Sequence, residues 1–223
     1  MRSYQLPSIE YLKLRFHLAA RLDCSLPSWK GSLIRGVFGH ALRRTVCTMA
    51  RGTDCADCML RSQCAYTRLF ETFANGIPPP FINKDHSSPR PFIFEPTDDA
   101  NCYQPGDVLW FDLLLIGNSI DYLPYVIFAI YQMGKSGLGV KRYPFELQQV
   151  FCRQDQNDST EADCKPDANS KNHDQWRLIY DGAEKKILVQ PTLQLLQNSS
   201  TSADAPNSVK LNFLTQTRLV FGK

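Results

Sequence analysis

From Tyr11 to Ala19 the chain alternates without a break: Leu12, Leu14, Phe16 and Leu18 are apolar, and Lys13, Arg15 and His17 stand between them. Side chains of an extended chain point alternately to opposite faces, so this stretch is a half-buried strand with a core face and a cationic open face. Such a strand needs a sheet around it and a cover for its apolar side. With 223 residues, 43% of them hydrophobic, the chain can bury one large domain, or one domain and part of another.

The cover is legible further on. Pro27 closes a short connection, and Ser28 is a plausible N-cap for a helix from Trp29 to Val46. At 100° per residue, Leu33, Ile34, Val37, Phe38 and Ala41 share one arc, while Ser32, Gly36, Gly39 and Arg43 fall opposite and His40 lies at the edge of that glycine stripe. Glycine costs a helix about 1 kcal/mol relative to alanine, so Gly31, Gly36 and Gly39 call for a reason. Close packing on the sheet is one; room beside His40 for a phosphodiester backbone is the other, and both stay open.

Phe92 to Glu95 reads as a short strand, Tyr103 to Gly106 as a turn and Asp107 to Ile116 as a buried strand. Leu123 to Met133 reads as an apolar helix and Phe145 to Cys152 as another strand. The order β, α, β, β, α, β is that of an α+β, ferredoxin-like domain, here over residues 1–196. Within it, 47–64 is a cysteine segment and 153–175 a polar, flexible excursion; Trp176 to Tyr180 and Lys186 to Gln190 read as a hairpin around Asp181-Gly182. Residues 197–208 have linker composition, and 209–223 reads as the start of a second domain or an added edge strand.

The N-terminus carries charges every few residues and no apolar run of signal-peptide length, and the apolar stretch at Leu123 to Met133 is too short to span a bilayer. A cytoplasmic protein without a membrane is expected. In a reducing compartment, Cys47, Cys55, Cys58 and Cys64, spaced C-x7-C-x2-C-x5-C, point to metal rather than to disulfides. Four thiolates close a tetrahedral shell around a structural zinc and leave no position for substrate; free thiols, or a redox pair at Cys55 and Cys58, are the alternative.

A net charge of +3 permits an anionic partner, and the basic residues cluster early. Candidate RNA contacts are Lys13 and Arg15 on the strand, Lys30, Arg35, Arg43 and Arg44 on the helix, and Lys135, Lys141 and Arg142 around a glycine loop, Gly134 to Arg142, that reads equally well as a tight turn. His17 on the strand's open face is a further candidate for RNA contact; His86 and His173 sit in loops without an argument. His40, among arginines, can take the proton of a ribose 2′-hydroxyl or protonate a leaving 5′-oxygen; packing on the apolar arc is the other reading. No Ser/His/Asp set, paired carboxylates or HExxH motif stands out.

Taken together, LPSWKGSLIRGVFGHALRRTVC, the C-x2-C-x5-C that follows, LIGNSIDYLPYVIFAIYQMGKSGLGVKRYPFEL and the closing LNFLTQTRLVFGK resemble the CRISPR-associated endoribonucleases of the RAMP superfamily, in the branch with a cysteine knuckle. The resemblance implies two tandem ferredoxin-like domains and metal-independent cleavage of precursor CRISPR RNA within its repeats, leaving a 2′,3′-cyclic phosphate. It places the catalytic histidine at His40 and makes Lys30 and Arg35 candidates for its partners. Zinc would then fold the knuckle and take no part in cleavage. The implied partners are CRISPR repeat RNA and other CRISPR-associated proteins. The chain stops where the second domain of that family would begin, and Gln216 stands where the family has proline, so a truncated gene product, a fragment or one part of a split protein is expected. A non-catalytic RNA-binding subunit of a CRISPR ribonucleoprotein is the second hypothesis, and a zinc-stabilised interaction module unrelated to RNA the third.

Overall fold

In the computed structural model, which describes residues 8–50, 52–73, 88–154, 176–191 and 193–196, the alternating stretch is strand β1 (Ile9–Ala20), central to an antiparallel sheet. Next come β2 (Cys24–Ser25), helix α1 (Gly31–Val46), a π-helical turn at Thr67–Glu71, β3 (Phe92–Glu95), β4 (Cys102–Tyr103) and β5 (Val108–Ile116). A 3-10 turn at Gly117–Tyr122 leads into helix α2 (Leu123–Ser136), and the chain continues through β6 (Phe145–Arg153), β7 (Trp176–Asp181), β8 (Lys186–Ile187) and β9 (Gln194–Leu196).

The main sheet runs β3-β5-β1-β6-β7-β8, with β9 pairing the first residues of β1 and β2 pairing β4 in a separate ribbon. In β1, Leu14 lies opposite Leu113 of β5 and Cys152 of β6, and a register shift at His17 and Leu18 adjusts the second pairing. Leu12, Leu14, Phe16 and Leu18 are wholly buried, as are Leu109, Phe111 and Leu113 of β5. The two helices pack on each other and supply the cover through Ile34, Phe38, Leu42, Val126, Ile130 and Met133. The molecule is therefore a mixed α/β fold on an antiparallel sheet, and among the described residues no helix is long and apolar enough to cross a membrane.

One local expectation changes, and one open reading gains its backbone geometry. Helix α1 begins at Gly31, with Lys30 and not Ser28 at its N-cap and no side-chain cap. The Lys30 ammonium reaches the carbonyl oxygens of Asp98 (2.8 Å) and Ser28 (3.4 Å), which ties the chain to the segment before β4 at the point where a serine cap would have started the helix. The glycine loop is a tight turn: Leu138 and Tyr143 exchange backbone hydrogen bonds, the Arg142 amide donates to the Gly139 carbonyl, and Gly137 and Gly139 have φ of +87° and +76°. Gly137 is required there, because a Cβ would lie 2.2 Å from the Arg142 carbonyl oxygen. From residue 155 the polar excursion, then His86, His173, the linker and the closing segment lie outside the described residues.

Candidate nucleic-acid interface

Helix α1 presents its apolar arc to the sheet and to α2, so residues 36, 40 and 44, one turn apart, form an outward line. Gly36, His40 and Arg44 are exposed, and a Cβ on Gly36 would meet nothing within 4 Å. Open space thus adjoins the imidazole on its N-terminal side. Gly39 has the opposite role: it is buried, and a Cβ there would lie 2.5 Å from the Phe70 ring. The stripe that the helical wheel places on one side divides into a packing glycine and an open one. Arg43 and Arg44 in the last turn also complement the helix dipole.

The candidate cations separate into three groups. Those of β1 are neutralised within the fold. Arg15 makes a two-pronged ion pair with Asp112 at 2.8 and 3.1 Å, and its guanidinium lies 4.6 Å from the Trp110 ring centroid and 4.2 Å from that of Trp176. Both its faces and its Nε/Nη2 edge are occupied, so its charge is already matched within the fold. Lys13 is held by Glu95 at 2.7 Å and lies 3.6 Å from Asp112. His17 packs on Phe151 with ring centroids 5.1 Å apart. The strand's second face is thus half-buried and internally paired, where alternation alone suggests an open cationic surface.

Lys30 forms the second group, with no exposed surface. Burial pushes its ammonium below the ordinary lysine range, against the pull of Asp98 and Asp99. It is a positioning residue for the start of α1 and cannot reach a bound strand. Arg43 is intermediate, turned onto the cysteine segment by a 2.8 Å bond to the Thr53 carbonyl and lying 5.7 Å from the Tyr66 ring. The third group, Arg35, Arg44, Lys135, Lys141 and Arg142, is exposed, with Lys135 over the Tyr131 ring at 4.6 Å.

Cys47, Cys55, Cys58 and Cys64 line one cavity of about 330 Å³ with Arg43, Tyr66, Tyr122 and Tyr125. The Cys58 amide donates to the Cys55 carbonyl at 3.4 Å, so the C-x2-C pair forms a turn. Burial pushes the Cys55 thiol up while Arg43 pulls it down. The donor set suits zinc, yet among the described residues no three His, Cys, Asp or Glu side chains converge closely enough to hold a metal ion. All the described cysteines are free thiols.

A second cavity, of about 250 Å³, opens beside the π-helical turn and is lined by Arg61, Arg68, Thr67, Thr72, Phe73 and Ser88 among others. The two arginines, seven residues apart, stand in the sequence as one cation within the cysteine segment, between Cys58 and Cys64, and one just after it. The denser run of arginines on the longer helix α1 is the stronger signal.

A chain in the crystal structure of the Csm3-Csm4 subcomplex of the type III-A CRISPR-Cas interference complex is similar over 66% of this chain and 81% of its own, with 14% identity and a TM-score of 0.41. An uncharacterized protein of Archaeoglobus fulgidus is 27% identical over 114 residues, which are 51% of this chain and 37% of that protein. The chain thus matches little more than a third of the length of that curated relative. The family AF_1859_N, described as an N-terminal domain, matches residues 7–175, from before β1 to the edge of β7, so the chain belongs to that family.

Proposed function

We propose that this chain processes RNA as a CRISPR-associated endoribonuclease of the RAMP type, on a ferredoxin-like framework, with His40 as the proton-transfer group. The observation that carries the reading is the line Gly36, His40, Arg44: an exposed imidazole with open space on one side and a guanidinium one turn away on the other. In the proposed reaction the ribose 2′-oxygen attacks its own phosphorus and loses its proton to a base. The bond from phosphorus to the 5′-oxygen breaks, and the leaving oxygen takes up a proton. The products are a 2′,3′-cyclic phosphate and a 5′-hydroxyl. His40 serves as the acid or the base, and a nearby cation such as Arg44 stabilises the charge that builds on the phosphorane. Cleavage of repeat RNA by the chain and by His40→Ala tests this.

A second reading, a subunit that binds RNA without cutting it, is favoured by one feature: His40 has no hydrogen-bond partner among the described residues to fix its orientation. Loss of cleavage with retained binding in His40→Ala supports the nuclease; binding without cleavage by wild type, unchanged in His40→Ala, supports the binding subunit.

Zinc belongs to the same proposal as a structural ion held by Cys47, Cys55, Cys58 and Cys64. Its support is the cavity that the four thiols share, and its chemistry would be to lock the segment after α1. Elemental mass spectrometry of the purified chain is expected to find one zinc per molecule, absent from Cys55→Ser/Cys58→Ser. A folded, metal-free wild-type chain would rule it out.

A further inference from the structure

The π-helical turn at Thr67–Glu71 ends on Thr72 at φ 45° and ψ 55°, a left-handed conformation that a β-branched residue rarely adopts. Wide turns and strained residues of this kind gather at functional sites. Here they shape the cavity of about 250 Å³. Thr67 donates to the carbonyls of Arg61 and Cys64, and Thr72 and Ser88 bind each other through hydroxyl-to-carbonyl and amide-to-carbonyl bonds, so the cavity walls are pinned. A water occupies about 30 Å³ in the liquid, which gives the cavity room for a phosphate group and several waters.

The two arginines in its lining differ from those of β1. Arg61 is held by one bond from Nη1 to the Ala56 carbonyl (2.8 Å) and stands 5.4 Å from the Phe73 ring; Arg68 is held by one bond from Nε to the Ser62 carbonyl (2.8 Å). Neither has a carboxylate partner among the described residues, whereas Lys13, Arg15 and Arg21 all do. A guanidinium steadied by one carbonyl, whose other N–H groups have no partner among the described residues, is prepared for an anion with several acceptor oxygens. Arg90 extends the basic surface towards α1. Its Nε donates to the Phe70 carbonyl (2.7 Å) and its guanidinium lies 4.9 Å from the Phe70 ring, which itself abuts Gly39, the neighbour of His40.

We propose that this cavity is a phosphate-binding subsite for single-stranded RNA, in which Arg61 and Arg68 grip one stretch of backbone while the strand runs past Arg90 towards His40. The inference rests on the RNA-processing reading and locates a contact on cations that, unlike those of β1, have no carboxylate partner among the described residues.

The test is fluorescence anisotropy of a labelled single-stranded repeat RNA with the full chain across a salt series, for wild type, Arg61→Gln/Arg68→Gln and Arg61→Lys/Arg68→Lys. The glutamine variant is expected to bind about tenfold more weakly and to flatten the slope of log affinity against log salt by about 1.4, two contacts at about 0.7 each. The lysine variant keeps the wild-type slope. Because the arginines also hold carbonyls, protection of Arg61 and Arg68 from phenylglyoxal by RNA is measured in the unmodified chain, where it does not depend on a variant folding. Wild-type binding with no protection and an unchanged glutamine variant overturns the subsite and leaves the RNA reading intact. No binding by wild type overturns both.

Discussion

At the scale of single residues, the same side-chain type does different work according to what surrounds it. Arg15 and Arg44 are both arginines on elements that bear basic residues, but Arg15 is stacked between two tryptophans and paired with Asp112, while Arg44 faces solvent. Removing the charge of Asp112, whose side chain is 4% exposed, leaves the Arg15 guanidinium, itself 17% exposed, without its counter-ion. Asp112→Asn is expected to cost about 2–3 kcal/mol, towards the low end for a broken buried pair because Arg15 keeps some contact with water. Urea unfolding checks this as a lower midpoint at unchanged slope; an unchanged midpoint would mean that the pair contributes nothing net. None of this was legible in the sequence. The alternation of β1 marks which side chains share a face, but the partners of Lys13 and Arg15 lie on β3 and β5, 82 and 97 residues away.

Secondary-structure elements were more legible where one period dominates. Strand β1 is set by its alternation, and β5 and β6 by runs of apolar residues at the expected positions. Period alone does not show β9, whose three residues pair with β1, or the π-helical turn, whose extra residue per turn breaks the spacing that marks a helix. The glycines of α1 show where periodicity stops being informative. Gly36 and Gly39 look equivalent on a wheel, yet one adjoins open space and the other a phenylalanine ring. Gly36→Ala is expected to raise stability by about 0.5–1 kcal/mol through helix propensity and a less flexible unfolded chain. In Gly39→Ala the methyl group must displace Phe70, which is stacked on Tyr66 and Phe92, and a strain of about 1–3 kcal/mol offsets the propensity gain. Thermal melts of the two variants are expected to shift in opposite directions; equal upward shifts would mean that Phe70 moves freely.

At the scale of the whole molecule, the antiparallel packing of α1 and α2 decides how the basic groups are distributed. The end of α1 and the start of α2 line the cysteine cavity together, while the turn after α2 carries Gly139 back against Leu26, just before α1. The cysteine segment and the glycine turn with Lys141 and Arg142 therefore lie at opposite ends of a 16-residue helix, about 24 Å apart, with His40 between them. A strand that touched both ends would cross the outer face of α1, away from the sheet face whose cations are paired. That arrangement gives the central claim its most direct test: incubation of end-labelled repeat RNA with the folded chain in excess EDTA, beside His40→Ala and an RNA with a 2′-deoxy residue at the cut. Folding is checked in the same buffer, because a chelator that stripped a structural zinc would unfold the cysteine segment. A single cut ending in a 2′,3′-cyclic phosphate is expected, abolished by either substitution. Intact RNA after incubation with folded wild-type protein that binds it, or cutting that survives His40→Ala, would contradict it.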